Sequence, residues 1–205
     1  MTTVTEAIDI GRVRLVVERP AEPESLIDED AFADDEFLPY WAERWPSGIA
    51  LAEHLSARDH LRGRRVLEIG CGLGLPSLVA ALLGADVVAT DWSPDAIALL
   101  ERNASRNGRR VTAAPADWRD TEAIVSLGPF DLVVAADVLY EARNAAPILT
   151  LLATLGAPAA IADPGRKHAA AFLDAVRTGE WEIDTVADTR IPQGGIHRLS
   201  RVRPS

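Results

Sequence analysis

Between residues 65 and 178 the chain repeats one pattern, a short apolar run followed by a stretch with apolar residues at helical spacing. The apolar runs are 65–69, 86–90, 111–114, 132–136 and 159–162, and helical spacing covers 75–83, 94–107, 121–127, 146–155 and 168–178. Runs of β-branched and small apolar residues with few polar interruptions read as strands buried on both faces, the habit of parallel sheets. The alternation predicts an α/β fold: a parallel sheet, right-handed crossovers, and a binding crevice at the carboxyl ends of the strands. Two further runs, 182–188 and 196–202, read as last strands joined through Pro192-Gln-Gly-Gly195. Upstream, 7–18 alternates loosely around Ile10-Gly-Arg12 and reads as a short hairpin or edge pair. Residues 20–36 form a polar, proline-bearing connector, and Ile49, Leu51, Ala52 and Leu55 predict a helix entered near Pro46 and Ser47. No repeat or second domain is visible, so 1–205 reads as one domain, with the hairpin and connector at 1–37 and the core at 38–205.

Residues 66–74 read Val-Leu-Glu-Ile-Gly-Cys-Gly-Leu-Gly, where a strand runs straight into glycines. Gly70, Gly72 and Gly74 permit a tight turn whose backbone can lie against a ligand, and Pro76 suits the first turn of the helix that follows. The next strand ends at Asp91, whose carboxylate can accept hydrogen bonds from both hydroxyls of a ribose. A nucleoside-type cofactor is expected. A dinucleotide fingerprint would need a glycine at Leu75 or Ser77, depending on register, so a nicotinamide-dependent oxidoreductase is disfavoured.

The pattern Glu68-x-Gly70-x-Gly72-x-Gly74, together with Asp91, resembles the first motifs of class I S-adenosylmethionine-dependent methyltransferases. That resemblance implies a Rossmann-like, mostly parallel seven-stranded sheet with helices on both faces and a C-terminal antiparallel hairpin. It implies S-adenosyl-L-methionine as cofactor, with Glu68 supporting the glycine loop beside the ribose and methionine moieties. Carried onto this chain, the adenine site falls to Trp92 over one ring face and to Asp117 at the exocyclic amine, with Trp118 beside it; Ala136 joins the same cofactor set. The alternatives are core packing for the two tryptophans and a helix N-cap for Asp117.

The fourth strand ends Val133-Val-Ala-Ala-Asp137-Val-Leu-Tyr140. An Asp-x-x-Tyr at this place, with Pro39-Tyr-Trp-Ala-Glu-Arg-Trp-Pro-Ser-Gly48 upstream, resembles methyltransferase family 16, which includes many protein-lysine methyltransferases. Asp163-Pro-Gly-Arg166 narrows the likeness to the branch acting on the β subunit of electron-transfer flavoprotein, and its bacterial relatives. The likeness runs from about residue 38 to 166. It implies catalytic roles for Asp137, attracting the substrate ammonium and orienting the amine, and for Tyr140 as a second acceptor; capping and packing are the alternatives. Tyr40, Trp41 and Trp45 could wall a channel for an ammonium group, or Trp45 with Ser47 could touch the cofactor's methionine end.

Net charge is −10, and Glu22, Glu24, Asp28, Glu29, Asp30, Asp34, Asp35 and Glu36 crowd one stretch. Such acidity repels phosphates, so no nucleic-acid partner is expected; the stretch reads as a solvated loop or as a capture surface for a cationic substrate. Arg62, Arg64 and Arg65, and Arg106, Arg109 and Arg110, read as solvated surface opposite the cofactor edge. One cysteine, Cys71, is expected to pack between glycines, and a single cysteine suggests a reducing compartment. No leader is evident and no apolar run approaches the roughly 20 residues that cross a bilayer, so a cytoplasmic location without membrane attachment is expected. His54, His60, His168 and His197 have no metal spacing, and no Gly-x-Ser-x-Gly elbow occurs. Arg166 reads equally as a substrate anchor or a loop ion pair. The expected partner is a protein bearing a lysine in a basic patch; a small-molecule N-methyltransferase and a catalytically silent binding protein are the alternatives.

Overall fold

The computed structural model describes residues 2–26, 40–57, 61–179 and 181–202. The strands are β1 (Thr3–Ile10), β2 (Val13–Pro20), β3 (Arg65–Ile69), β4 (Asp86–Asp91), β5 (Thr112–Pro115), β6 (Leu132–Ala136), β7 (Ala159–Asp163), β8 (Trp181–Val186) and β9 (Gly195–Arg201). The helices are α1 (Pro46–Ser56), α2 (Leu75–Leu82), α3 (Pro94–Arg106), α4 (Thr121–Val125), α5 (Ala145–Leu155) and α6 (Ala169–Thr178). Strands β3 to β9 form a seven-stranded sheet in the order β5-β4-β3-β6-β7-β9-β8. Neighbours from β5 to β7 pair in parallel, whereas β9 pairs antiparallel with both β7 and β8. This is the expected Rossmann-like sheet with its closing hairpin.

Side-chain alternation along the strands divides the core in two. Val66, Val87, Ala89, Val134 and Ala160 pack on the face covered by α1, α2 and α3. Leu67, Val88, Val133, Ala135 and Ile161 point to the other face, against α4, α5 and α6, where Phe172 is wholly buried. Each central strand reads as a continuous apolar run because both its faces are covered.

The chain builds outward from β3 through β4 to β5, then returns to lay β6 on the other side of β3. At that reversal the loops leaving β3 and β6 turn away from each other and leave a crevice at their carboxyl ends. The predicted boundaries of the sheet strands and of the helices between them hold within a residue or two; α4 starts with an Asp120 cap on the Ala123 N–H and stops at Val125 rather than 127.

The N-terminal hairpin is longer than its loose alternation suggests, with eight paired positions from Thr3 opposite Pro20 to Ile10 opposite Val13. Two asparagines on α3 hold it. Asn103 Oδ1 accepts from the Glu18 N–H at 2.7 Å and its Nδ2 donates to the Glu18 carbonyl at 2.9 Å. Asn107 does the same at Val16, at 2.9 and 2.8 Å. These amides satisfy β2 as a neighbouring strand would. Arg106 stays at the exposed surface, as expected, and from there binds the buried carboxylate of Glu18 at 2.6 Å, which together with Arg102 holds that carboxyl below its usual range. Of the crowded acids, 28–36 lie outside the described residues.

Asn103 is fully buried, so Asn103→Ala should lower unfolding stability in urea by about 1–3 kcal/mol by orphaning the Glu18 backbone groups. Asn107→Ala, at a more exposed place, should cost less than about 1 kcal/mol. Equal, small losses from the two would mean that Leu15 and Val17 alone dock the hairpin.

Candidate active site

The crevice at the strand reversal is a cavity of about 280 Å³. Its floor is the turn from β3 into α2. Glu68, near the end of β3, is buried, and its Oε2 accepts from the Ser77 backbone N–H at 2.9 Å and from the Ser77 hydroxyl. The first turn of α2 is thereby pinned to the strand, and residues 70–74 must reverse the chain in the short span between. Gly74 caps α2 with φ 69°, and a Cβ on it would lie 2.4 Å from Leu100 Cδ1. Gly72, with φ 50°, donates its N–H to Asp91 Oδ2 at 2.9 Å, and a Cβ there would meet the Trp41 carbonyl at 3.0 Å. Only glycine fits either place. Cys71, between Gly70 and Gly72, is buried, and burial pushes its thiol up, in keeping with a packing role.

Asp91 ends β4 and closes this floor. Its Oδ1 accepts from the Ser93 N–H at 2.9 Å, so each oxygen already has one backbone donor and keeps further acceptor capacity toward the cavity. Burial raises both carboxyls, Asp91 in direction and Glu68 to about 8; the donors from Ser77 oppose the shift at Glu68, and the nearby charge of Asp91 adds to it.

The opposite wall rises from β6. Asp137 follows that strand at φ 59°, a left-handed conformation that a non-glycine residue adopts only when its surroundings impose it. Its N–H donates to the Ala162 carbonyl on β7, which fixes the turn. The side chain is 8% exposed; Oδ1 accepts from Arg166 Nε at 2.8 Å and Oδ2 from the Ser47 hydroxyl at 3.3 Å. Arg166 is itself set by Asp163, whose Oδ1 accepts from the N–H groups of Gly165 and Arg166 at 2.7 and 2.8 Å. Its guanidinium also lies over the Trp45 ring, 5.7 Å from the centroid. The hydrogen bond to Asp137 raises the Arg166 pKa further.

Aromatic rings frame the opening. Tyr40 packs against Tyr140 at 5.6 Å and against Trp45 at 6.3 Å between centroids, and Tyr140 meets Trp118 at 6.5 Å. The Trp45 indole donates to the Tyr40 carbonyl at 2.8 Å, which fixes the turn before α1. Burial and Glu141 push the Tyr140 hydroxyl up to about 12, so it stays protonated at neutral pH.

Of the residues singled out from sequence, Trp45, Glu68, Gly70, Gly72, Gly74, Asp91, Trp92, Trp118, Ala136, Asp137 and Tyr140 line this one cavity. Asp117 is the exception: it is absent from the lining, and Arg119 two residues on captures it, with the Arg119 N–H and Nε each 2.8 Å from its oxygens. That local pairing holds the Asp117 carboxyl below its usual range. The Ser47 hydroxyl meets Asp137. Arg166, ambiguous in the sequence, joins the cavity, as do Glu43 and Arg44, which lie in the 39–48 motif without an expected role there, and Glu141, for which no motif gave a signal. Among the described residues, no group of three or more His, Cys, Asp or Glu is placed to hold a metal, and no helix is long and apolar enough to cross a membrane.

The family profile described as lysine methyltransferase matches residues 41–162, more than half of the chain and most of these walls. The chain belongs to the lysine methyltransferase family. It is 35% identical over 135 residues to the electron transfer flavoprotein beta subunit lysine methyltransferase of Xenopus laevis, covering 62% of this chain and 53% of that one. It is 36% identical over 102 residues to the protein N-lysine methyltransferase METTL21A of Danio rerio, covering 47% and 46%. The chain thus spans about half the length of the curated relatives it matches. Among solved structures, magnesium protoporphyrin IX methyltransferase from Synechocystis with bound SAM superposes with a TM-score of 0.62 at 20% identity, covering 89% of this chain and 98% of that one. The 16S rRNA N2 G1207 methyltransferase of T. thermophilus gives 0.68 at 18% identity, covering 98% and 51%. These last two likenesses bear on the fold.

The raised Glu68 pKa has a measurable sign. A carboxyl moved from 4.5 to about 8 on folding contributes its full stability below the unfolded value and loses it as pH rises through about 8. Between about pH 5 and 8 the urea midpoint of the wild type should therefore fall relative to that of Glu68→Gln. Parallel profiles would mean that Glu68 is ionised across the range.

Proposed function

We propose that this chain is an S-adenosyl-L-methionine-dependent methyltransferase that acts on the side-chain amine of a lysine in a protein. The observation that carries the reading is one shared cavity. It holds the glycine turn and Asp91 on one wall, and the buried Asp137 carboxylate among aromatic rings on the other. The donor set suits the cofactor: Asp91 retains acceptor capacity for ribose hydroxyls, and Trp92, 38% exposed, offers a flat apolar face to adenine. The turn's bare glycines admit a ligand close to the backbone. S-adenosylmethionine bound there would supply an electrophilic sulfonium methyl group, whose carbon would bond to the amine nitrogen as the carbon–sulfur bond breaks and the neutral thioether leaves.

The chain's own groups then serve position and charge. Lysine's reference pKa is about 10.4, so its ammonium must shed a proton to solvent before it can attack. Asp137 draws the ammonium into the cavity and accepts a hydrogen bond from the amine once it is neutral. Tyr140, protonated at neutral pH, offers its oxygen as a second acceptor. The rings of Tyr40, Trp45 and Tyr140 attract the cation and exclude water, which lowers the amine's pKa toward the reactive form. A basic surface around the target lysine would suit a chain of net charge −10. The named lysine methyltransferases among the relatives favour a protein acceptor over a small molecule. The single buried cysteine fits a reducing compartment such as the cytoplasm, and the whole 205-residue chain is read as one methyltransferase domain.

The test is methyl-labelled S-adenosylmethionine with the purified chain, the β subunit of electron-transfer flavoprotein, and cell extract split into macromolecules and small molecules. Label on lysines of one or a few proteins is the expected outcome; label confined to small molecules would overturn the protein-lysine reading. Asp91→Ala should weaken S-adenosylmethionine binding by about 30-fold or more in calorimetry, the loss of two charge-assisted hydrogen bonds. Asp137→Asn should lower kcat by about 100-fold while leaving cofactor affinity within about twofold. Wild-type kcat in that variant would reduce Asp137 to a turn residue.

A further inference from the structure

Asp137 does not face the cavity as a bare carboxylate. Resting on the lysine-transfer reading, we propose that Arg166 is a positioning residue, the built-in counter-charge that lets Asp137 accept from the substrate amine without locking that amine in its charged form. A carboxylate alone in a buried cavity serves binding and opposes reaction. It attracts the ammonium, and by the same attraction it disfavours loss of the proton that must leave before the nitrogen can attack. A guanidinium bonded to the far oxygen resolves the conflict. It offsets most of the field felt by the amine yet leaves acceptor lone pairs on the carboxylate.

The structure is built for that arrangement. Arg166 Nε lies 2.8 Å from Asp137 Oδ1, while the other oxygen, Oδ2, is met among the described residues by the Ser47 hydroxyl at 3.3 Å and keeps acceptor capacity. Three elements hold the arginine in place. The Asp163 carboxylate at the end of β7 fixes its backbone, the Trp45 ring before α1 lies under its guanidinium, and the strained left-handed turn at Asp137 aims the carboxylate at it. One loop after β6 and another after β7 therefore converge on a single ion pair that lines the cavity.

Other charges facing the pair do not supply the same compensation. Asp163, whose Oδ2 is buried without a hydrogen-bond partner among the described residues, places a second carboxyl beside Arg166. Glu141 follows Asp137 and is paired with Arg143, while Arg44 at the rim is paired with Glu6. Glu68 and Asp91 lie in the opposite wall of the cavity. Arg166 is thus the cation bonded to Asp137 among the described residues, and removing its charge leaves an acidic site.

The experiment compares wild type with Arg166→Gln and Arg166→Lys, each full-length. The first probe is Nα-acetyl-lysine methylamide labelled with carbon-13 at Cε, titrated from about pH 7 to 11 with and without S-adenosylhomocysteine; its chemical shift reports both binding and the charge of the bound amine. In Arg166→Gln the probe should bind about tenfold tighter at pH 7, and its bound pKa should rise by about one, the screened effect of one nearby charge. Arg166→Lys, which keeps the charge, should stay near wild type. The second readout is methyl transfer to the β subunit of electron-transfer flavoprotein. Arg166→Gln should lower both KM and kcat at pH 7, by about tenfold each, and recover kcat near pH 10. Unchanged probe affinity and bound pKa in Arg166→Gln would overturn the proposal. So would a variant with higher kcat at pH 7, since Arg166 would then merely compete with substrate. Absence of methyl transfer in the wild type to any lysine-bearing protein would instead defeat the lysine-transfer reading, and the probe titration still decides the role of Arg166 as counter-charge.

Discussion

A helix that starts at a glycine cap has no side chain of its own for the N–H groups of its first turn. In α2 that deficit is met from outside the helix, by the Glu68 carboxylate at the end of β3, which takes both the backbone and hydroxyl hydrogens of Ser77. Most of the site depends on this interaction. With strand end and helix start tied together, residues 70–74 have no slack, and the turn must double back through left-handed positions. Its backbone is then pressed toward Trp41 on one side and Leu100 on the other. Asp91 completes the restraint by taking the Gly72 N–H, so that the loop is fastened to β4 as well as to α2.

Two buried carboxyls this close to each other are costly, and both are pushed toward their neutral forms. The fold accepts the cost at the place where a cavity wall must be acidic and rigid together. The far wall solves a different problem with similar parts. There Asp137 keeps a full cationic partner, and it sits on a strained residue held by a β7 carbonyl rather than on a regular strand. The first pair of acids is stabilised by backbone donors and shapes a pocket. The second acid is balanced by a side chain on a neighbouring loop, which can respond to an incoming charge.

The sheet could be read from the chain because its buried strands are short apolar runs, and the helices between them are either striped, as α3 and α6 are, or buried nearly all round, as α2 is. Most of the cavity lining followed from placing motif residues at strand ends, where the topology gathers them. What failed to show is what depends on side chains meeting across long sequence separations. Nothing near Asn103 announces that its amide would stand in for a strand beside Glu18, 85 residues earlier. At Asp117 the unread contact is local: Arg119, two residues away, donates to its carboxylate from both backbone and side chain. Arg166 could be weighed as a loop ion pair, but its partner was legible only once β6 and β7 lay side by side with Ala136 opposite Ala162.

The two halves of the cavity also differ in how they are made, and this bears on what each can change. The cofactor half is backbone and buried carboxylate, set by the register of β3 and β4 and by a turn that tolerates no Cβ at Gly72 or Gly74. Altering it means altering the sheet. The acceptor half is largely side chain, with Tyr40 and Trp45 supplied by the segment before α1, Tyr140 by the loop after β6, and Arg166 by the loop after β7. Tyr140 and Arg166 lie on loops, outside any strand or helix cap, so they can be exchanged singly, whereas Trp45 is the N-cap residue of α1 and is tied to that helix. On the proposed function, a fold built this way holds one cofactor geometry constant while the acceptor varies, and the identity of the acceptor is set by the aromatic rim and by the charge balance at Asp137.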